Sequence, residues 1–223
     1  AGFLLNPIDG FRSPPYIHNI AYRGVVISGL IHNDDPKAAD MYMPTASFWT
    51  QPAGKVHVTA VKGKRTLAYI EVEDAFGVHS AEEAFHDEER PINVDQSNLI
   101  WLDASNINWI AQVGSSKQET GPRVAFLWDR SEKDQLNGSL LKLPAGFVRE
   151  IRYHETDGHT VVIQGQASLH AFDQASTKTL DPGSYFSSKT ETVYTISCKP
   201  GEDCIIYLRM KGKFEIVATQ RGS

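Results

Sequence analysis

The chain is poor in several residue types and patterns, and each shortage removes a class of function. Its 223 residues include two cysteines and three methionines, too few for a disulfide framework or a cysteine-rich zinc fold. No C-x-x-C, P-loop, G-x-G-x-x-G or G-x-S-x-G pattern occurs, so nucleotide chemistry and serine or thiol hydrolysis have no support. No apolar run approaches the roughly 20 residues a membrane-crossing helix needs, and the chain reads as soluble. Lys and Arg total 22 against 27 Asp and Glu, a formal net charge of -5. With no basic cluster along the sequence, neither nucleic acid nor an anionic membrane is an expected partner.

The residues that are abundant point to sheets. Eleven prolines and seventeen glycines punctuate short runs of Val, Ile, Tyr and Phe, which predicts an all-β protein with little helix. The chain also repeats itself. Gly10, His18, Val25 and Gly29 match Gly146, His154, Val161 and Gly165 at one constant offset of 136 residues. Ala46-Ser47-Phe48 aligns with Gly183-Ser184-Tyr185, and Leu67-Ala68-Tyr69-Ile70 with Ile205-Ile206-Tyr207-Leu208, at offsets one or two residues larger. Small loop insertions in a duplicated domain produce that drift.

The spacing inside the repeat is specific. Gly10, Tyr16, His18, Tyr22 and Gly29 reproduce the frame G-x5-H-x-H-x3-E-x6-G, the first cupin motif, with Tyr16 at the first His and Tyr22 at the Glu. Ala46, Pro52, Gly54 and His57 follow the second motif, G-x5-P-x-G-x2-H-x3-N, which here ends on Val61. The chain therefore resembles a two-domain cupin, or bicupin. Segments 12–19, 48–54 and 202–207 are similar to a bacterial group of such proteins. The resemblance implies an all-β fold of two tandem cupin barrels (double-stranded β-helix, jelly-roll) with a short helical linker. The expected bounds are 1–75 for the first cupin, 76–97 for the linker and 98–223 for the second. Strands are expected at 22–28, 47–50, 57–61, 66–72, 98–101 and 124–128, and a short helix near Ser80–Phe85.

In cupins of this kind, three imidazoles and one carboxylate inside the barrel hold a divalent ion with positions left for substrate. Here His18 and His57 are the metal-capable imidazoles, with Tyr16 or Tyr22 beside them and His32 or Glu71 as further donors. A phenol with an ordinary pKa near 10 ligates well only where the metal strips its proton, which suits Fe(III) better than Zn(II) or Ni(II). The equivalents of Tyr16, His18, Tyr22 and His57 in the second repeat are Arg152, His154, Gly158 and Tyr194, with His159 next in line. That set predicts no metal in the second barrel. His79, Glu82, Glu83 and His86 carry ligand-like helical spacing within a strongly charged stretch, which reads as a solvated helix. Trp49, Trp101, Trp109 and Trp128 read as core or interface anchors.

Two readings of function stand side by side. The first is a metal-dependent cupin enzyme, oxygenase- or isomerase-like, with Fe, Mn, Ni or Zn at the first barrel and a small oxygenated substrate. The second is a metal-free module in which Tyr16, His18, Tyr22 and His57 bind or sense a small molecule by hydrogen bonding. Paired barrels forming a homodimer are a third expectation. Cys198 and Cys204 flank Lys199-Pro200-Gly201-Glu202-Asp203, so a disulfide across a hairpin and two free thiols are both open. The chain starts at Ala1, and the first repeat lacks a counterpart to 122–128. Removal of a secretory signal, giving a periplasmic or secreted protein, and a trimmed start on a cytoplasmic one both account for this.

Overall fold

A computed structural model describes residues 1–85, 89–111, 121–129, 135–153, 158–171, 177–188 and 193–217. The chain divides into two compact units, Ala1–Leu99 and Ile100–Ser223. Among the described residues regular structure is strand throughout, apart from single 3-10 turns at Ala81–Glu83 and Gln96–Asn98. No helix among the described residues is long and apolar enough to cross a membrane.

The first unit contains β1 (Gly2–Leu5), β2 (Tyr16–His18), β3 (Tyr22–Asp34), β4 (Phe48–Gln51), β5 (Val58–Val72), β6 (Val78–Ser80) and β7 (Ile92–Val94). Five of them form an antiparallel sheet in the order β1-β5-β3-β4-β7, and β2 pairs with β6. Tyr22, Val26, Ile31, Trp49, Val61 and Ile70 pack together as its core. Where the sequence predicts separate strands at 57–61 and 66–72, β5 runs unbroken and pairs with β3 along its length. Gly29 (φ 75°) and Gly63 (φ 117°) explain this, because both lie at the bend and adopt backbone angles that L residues rarely tolerate. The ladder bends through a bulge there and no turn forms. A Cβ on Gly29 would stand 2.9 Å from the Cα of Thr66, so the close approach of the strands also requires glycine.

Segment 76–97, expected as a linker, carries β6 and β7, which add to β2 and β4 of the same unit. The helix expected near Ser80–Phe85 is one 3-10 turn. The strand expected at 98–101 is also absent. Asp95 accepts the Ser97 backbone N–H at 2.9 Å and turns the chain at Gln96–Asn98, as short polar caps do.

The second unit contains β8 (Arg123–Trp128), β9 (Leu136–Leu143), β10 (Val148–Tyr153), β11 (Gly158–Gln164), β12 (Ala167–Ala171), β13 (Lys178–Leu180), β14 (Tyr185–Ser188), β15 (Val193–Cys198), β16 (Cys204–Lys211) and β17 (Phe214–Val217). They form two antiparallel five-stranded sheets, β13-β12-β15-β10-β17 and β14-β11-β16-β9-β8. Ile151, Val162, Ile196, Ile206, Leu208 and Phe214 are buried together in its core.

The repeat recurs in backbone angles as well as letters. Gly10 and Gly146 have φ of 75° and 74°, Gly29 and Gly165 the same pair of values, and Ala46 (67°) takes the left-handed region that Gly183 (91°) occupies in the second copy. The copies differ where β5 stays whole. There the second has Pro200-Gly201, and a proline without an N–H interrupts the ladder, so the chain breaks into β15 and β16. A disulfide joins Cys198 to Cys204 with Cα atoms 5.8 Å apart. Because β15 and β16 belong to different sheets, it staples the corner between them, where the sequence suggested a hairpin.

Candidate functional site

The site begins with the two-residue period of β2, which turns Tyr16 and His18 to one face and Ile17 to the other. Reciprocal backbone hydrogen bonds fix His57 directly across from Tyr16: the Tyr16 N–H donates to the His57 carbonyl at 3.1 Å and the His57 N–H to the Tyr16 carbonyl at 3.0 Å. Tyr22 opens β3 opposite Gln51 and Val72. These placements bring the four rings together. Ring centroids are 4.2 Å apart for Tyr16 and His57, 5.0 Å for His18 and Tyr22, and 5.3 Å for the two histidines.

Tyr16, His18 and Tyr22 of this cluster form the floor of a cavity of about 450 Å³ within the first unit. Phe3, Leu5 and Phe11 line it from the N-terminal segment, while Trp49, Ile70 and Phe76 contribute apolar walls. Phe76 stacks on His18 with centroids 4.0 Å apart. No Asp, Glu, Lys or Arg lines the cavity. His57 is 0% exposed and sits behind Tyr22, with Nε2 3.4 Å from the hydroxyl.

A buried polar network supports the floor. The Tyr22 hydroxyl donates to Asn33 Oδ1 at 2.9 Å, and the Thr59 hydroxyl donates to the same oxygen at 2.7 Å. Tyr16 and Thr59 hydroxyl oxygens are 2.6 Å apart. Asn33 Nδ2 donates to Gln51 Oε1 at 3.2 Å, and Gln51 Nε2 donates to the Lys55 carbonyl at 3.1 Å. His57 Nδ1–H donates to that same carbonyl at 3.0 Å, and His18 Nδ1–H to the Gly77 carbonyl at 2.8 Å. Each imidazole thus carries its hydrogen on Nδ1.

Burial sets the charge state. Loss of hydration disfavours an ionised group, so burial pulls His57 down to about 4, against a smaller opposing effect of the Lys55 carbonyl. Burial lowers His18 in the same way, partly offset by the Gly77 carbonyl. It raises Tyr16 and takes Tyr22 well above the ordinary phenol value. At neutral pH all four groups are uncharged.

The further donors considered from sequence face elsewhere. Ile70 and Asn33 line the cavity, so Glu71 and His32, each one residue away on the same strand, point to the other side of the sheet. Glu71 stands opposite Arg23 in the ladder. His32 Nδ1 lies 3.2 Å from the Met41 carbonyl and its Nε2 3.7 Å from Asp40. Among the described residues no three His, Cys, Asp or Glu side chains gather as a metal site does. Two imidazoles beside two phenols that burial keeps protonated do not fit the three-imidazole, one-carboxylate centre. His79 of β6 meets Glu83 at 3.2 Å at the surface, Glu83 sharing the 3-10 turn with Glu82, and His86 lies outside the described residues.

In the second repeat, Arg152 pairs with Glu150 at 3.0 Å. His159 Nδ1 and the Tyr185 hydroxyl are 2.5 Å apart, Gly158 opens β11, Tyr194 sits on β15, and His154 lies outside the described residues. Trp49 and Trp109 are buried in their cores, Trp101 is half-buried, and the half-buried Trp128 donates to the Tyr207 hydroxyl at 3.2 Å.

The model of the family described as a domain of unknown function, DUF4437, matches residues 1–217. The chain belongs to the DUF4437 family. No curated protein matches it by sequence. Solved structures similar to this DUF4437 chain include a candidate dioxygenase of Nostoc punctiforme, with TM-score 0.65, 14% identity, and coverage of 99% of this chain and 74% of that one. The oxalate decarboxylase of Lactobacillus farciminis follows at TM-score 0.60 and 11% identity, covering 97% and 78%. The salicylate 1,2-dioxygenase of Pseudoaminobacter salicylatoxidans gives 0.57 and 10%, covering 96% and 73%. These neighbours establish the cupin jelly-roll fold.

The sequence reading missed Asn33, Thr59, Gln51 and Phe76. Thr59 is two residues beyond His57 and so on its face, a signal that period-two alternation offers. Asn33 fell beyond the expected end of its strand, and Phe76 fell in the expected linker.

Proposed function

We propose that the first barrel, residues 1–75 completed by strands from 76–97, binds one small uncharged molecule without a metal. The second barrel, 98–223, has a structural role and carries no site of its own. The observation that carries this is the cavity's chemistry: about 450 Å³, walled by aromatic and aliphatic side chains, floored by the neutral polar rings of Tyr16, His18 and Tyr22 with His57 buried behind them, and free of charged lining residues. Its volume lies within the few hundred to about 1,000 Å³ usual for small-molecule sites. A carboxylate entering it would lose hydration and gain no counter-charge. Acids such as those naming the oxalate decarboxylase and salicylate dioxygenase neighbours therefore suit it poorly.

Calorimetric titration of the full chain with 1-phenylethanol, before and after EDTA dialysis, tests the proposal. Saturable one-site binding of equal affinity in both samples is expected. Binding that disappears with EDTA and returns with Fe(II) or Mn(II) would overturn it. One observation favours the second reading, an oxygenase- or isomerase-like enzyme with Fe, Mn, Ni or Zn on His18 and His57. Both Nδ1–H groups are held by backbone carbonyls, which leaves both Nε2 lone pairs bare, as outer-shell bonds do for metal-ligating imidazoles. Near-stoichiometric metal that falls away in His18→Ala protein would move the balance to that reading.

A further inference from the structure

We infer that the floor of this cavity is a hydrogen-bond acceptor surface, so its ligand presents to that floor a donor such as an alcohol or amide N–H. This rests on the neutral-pocket reading above and narrows its ligand class. One backbone oxygen sets the direction of the bonds through Gln51 and Asn33. The Lys55 carbonyl can only accept, so the Gln51 atom facing it at 3.1 Å is the amide nitrogen. Gln51 therefore turns its oxygen to Asn33, and the Asn33 atom facing that oxygen at 3.2 Å is in turn its nitrogen. That leaves Asn33 Oδ1 toward the hydroxyls of Tyr22 and Thr59, at 2.9 and 2.7 Å. An amide oxygen only accepts, so both hydroxyl hydrogens are committed to it.

The same logic reaches Tyr16. With the Thr59 hydrogen already spent, the 2.6 Å contact between the Tyr16 and Thr59 hydroxyls has Tyr16 as donor. Both phenol hydrogens therefore point into the wall and both phenol oxygens are left as acceptors, that of Tyr22 with the Trp49 indole N–H beside it. The Lys55 carbonyl likewise holds the His57 hydrogen on Nδ1, and the Gly77 carbonyl holds that of His18, leaving both Nε2 atoms bare. Tyr22 oxygen and His57 Nε2 face one another at 3.4 Å, two acceptors with the Tyr22 hydrogen directed elsewhere. Tyr16, His18 and Tyr22 all line the cavity. At this floor a ligand that offers only lone pairs meets lone pairs, and one that offers a hydrogen completes the network; the uncommitted donors of the lining are the Ser13 hydroxyl, whose oxygen accepts the Thr59 N–H, and the buried Trp49 indole N–H.

Three probes of nearly one shape isolate the effect: 1-phenylethanol, which donates; acetophenone, which only accepts; and ethylbenzene, which does neither. Calorimetry on the full chain should give the alcohol at least about tenfold tighter than the ketone, the ratio one net hydrogen bond supplies. The ketone should gain over ethylbenzene no more than the single Ser13 hydroxyl supplies. Asn33→Leu frees the Tyr22 and Thr59 hydrogens to turn inward, and should erase the preference or reverse it toward acetophenone. If that variant does not fold, Tyr22→Phe removes one acceptor with little change of shape, and should lower alcohol affinity while leaving ethylbenzene unchanged. Equal or tighter binding of the ketone by the native chain overturns the acceptor floor and leaves the neutral pocket standing. Binding of none of the three overturns both.

Discussion

His57 is a base kept neutral by its surroundings, and that has a measurable cost. Unfolded, its imidazole titrates near 6.5, whereas in the fold burial takes it down to about 4. Between those values the unfolded chain binds a proton that the folded chain refuses, so stability rises with pH across the window and is lost as pH falls through it. The low-shifted His18 acts in the same direction. Urea unfolding at pH 7 and 4.5 should show the native chain losing about 2 to 3 kcal/mol more than His57→Gln protein does. Equal losses would mean that His57 is not buried as a neutral base. Positions 16, 18, 22 and 57 stood out in the sequence because the motif spacing marks them. The atoms that decide what they can do did not, since the polarity of the floor depends on where the carbonyls of Lys55 and Gly77 point. That is backbone geometry, invisible in a list of side chains.

At the scale of elements, the strands with regular alternation were legible and their ends were not. β3 and β5 outrun the expected strands because glycines that read as turn signals act as bends inside a paired ladder. Gly29→Ala combines an unfavourable φ of 75° with a clash against Thr66. Gly10→Ala has the same φ and nothing within 4 Å of the new Cβ. The second should cost about 1 kcal/mol, the backbone penalty alone, and the first at least about 2 kcal/mol more by chemical denaturation. Equal costs would remove the close strand approach from the account of how β3 and β5 stay continuous. Pro200 draws the contrast in the second repeat. Its missing N–H was readable, but that the chain there crosses between sheets depends on partners distant in sequence.

Over the whole molecule, duplication was the clearest sequence signal, and it is written again in the paired positive φ angles of the two copies. What the copies no longer share is the floor. The first keeps the neutral polar rings of Tyr16, His18 and Tyr22 on a cavity, with His57 behind them, whereas the second has Arg152 paired with Glu150 at the corresponding frame position. Fold was legible because spacing and turns carry it; activity was not, because a frame with altered ligands fits both a weakened metal centre and an uncharged binding site. Electron density inside the first barrel separates these most directly, from crystals of protein expressed with added Fe, Mn, Ni and Zn and purified without chelator. The account predicts an organic molecule or water donating hydrogen bonds to Tyr16, His18 and Tyr22, with no anomalous peak. An ion about 2.0 to 2.2 Å from Nε2 of both His18 and His57 would contradict it.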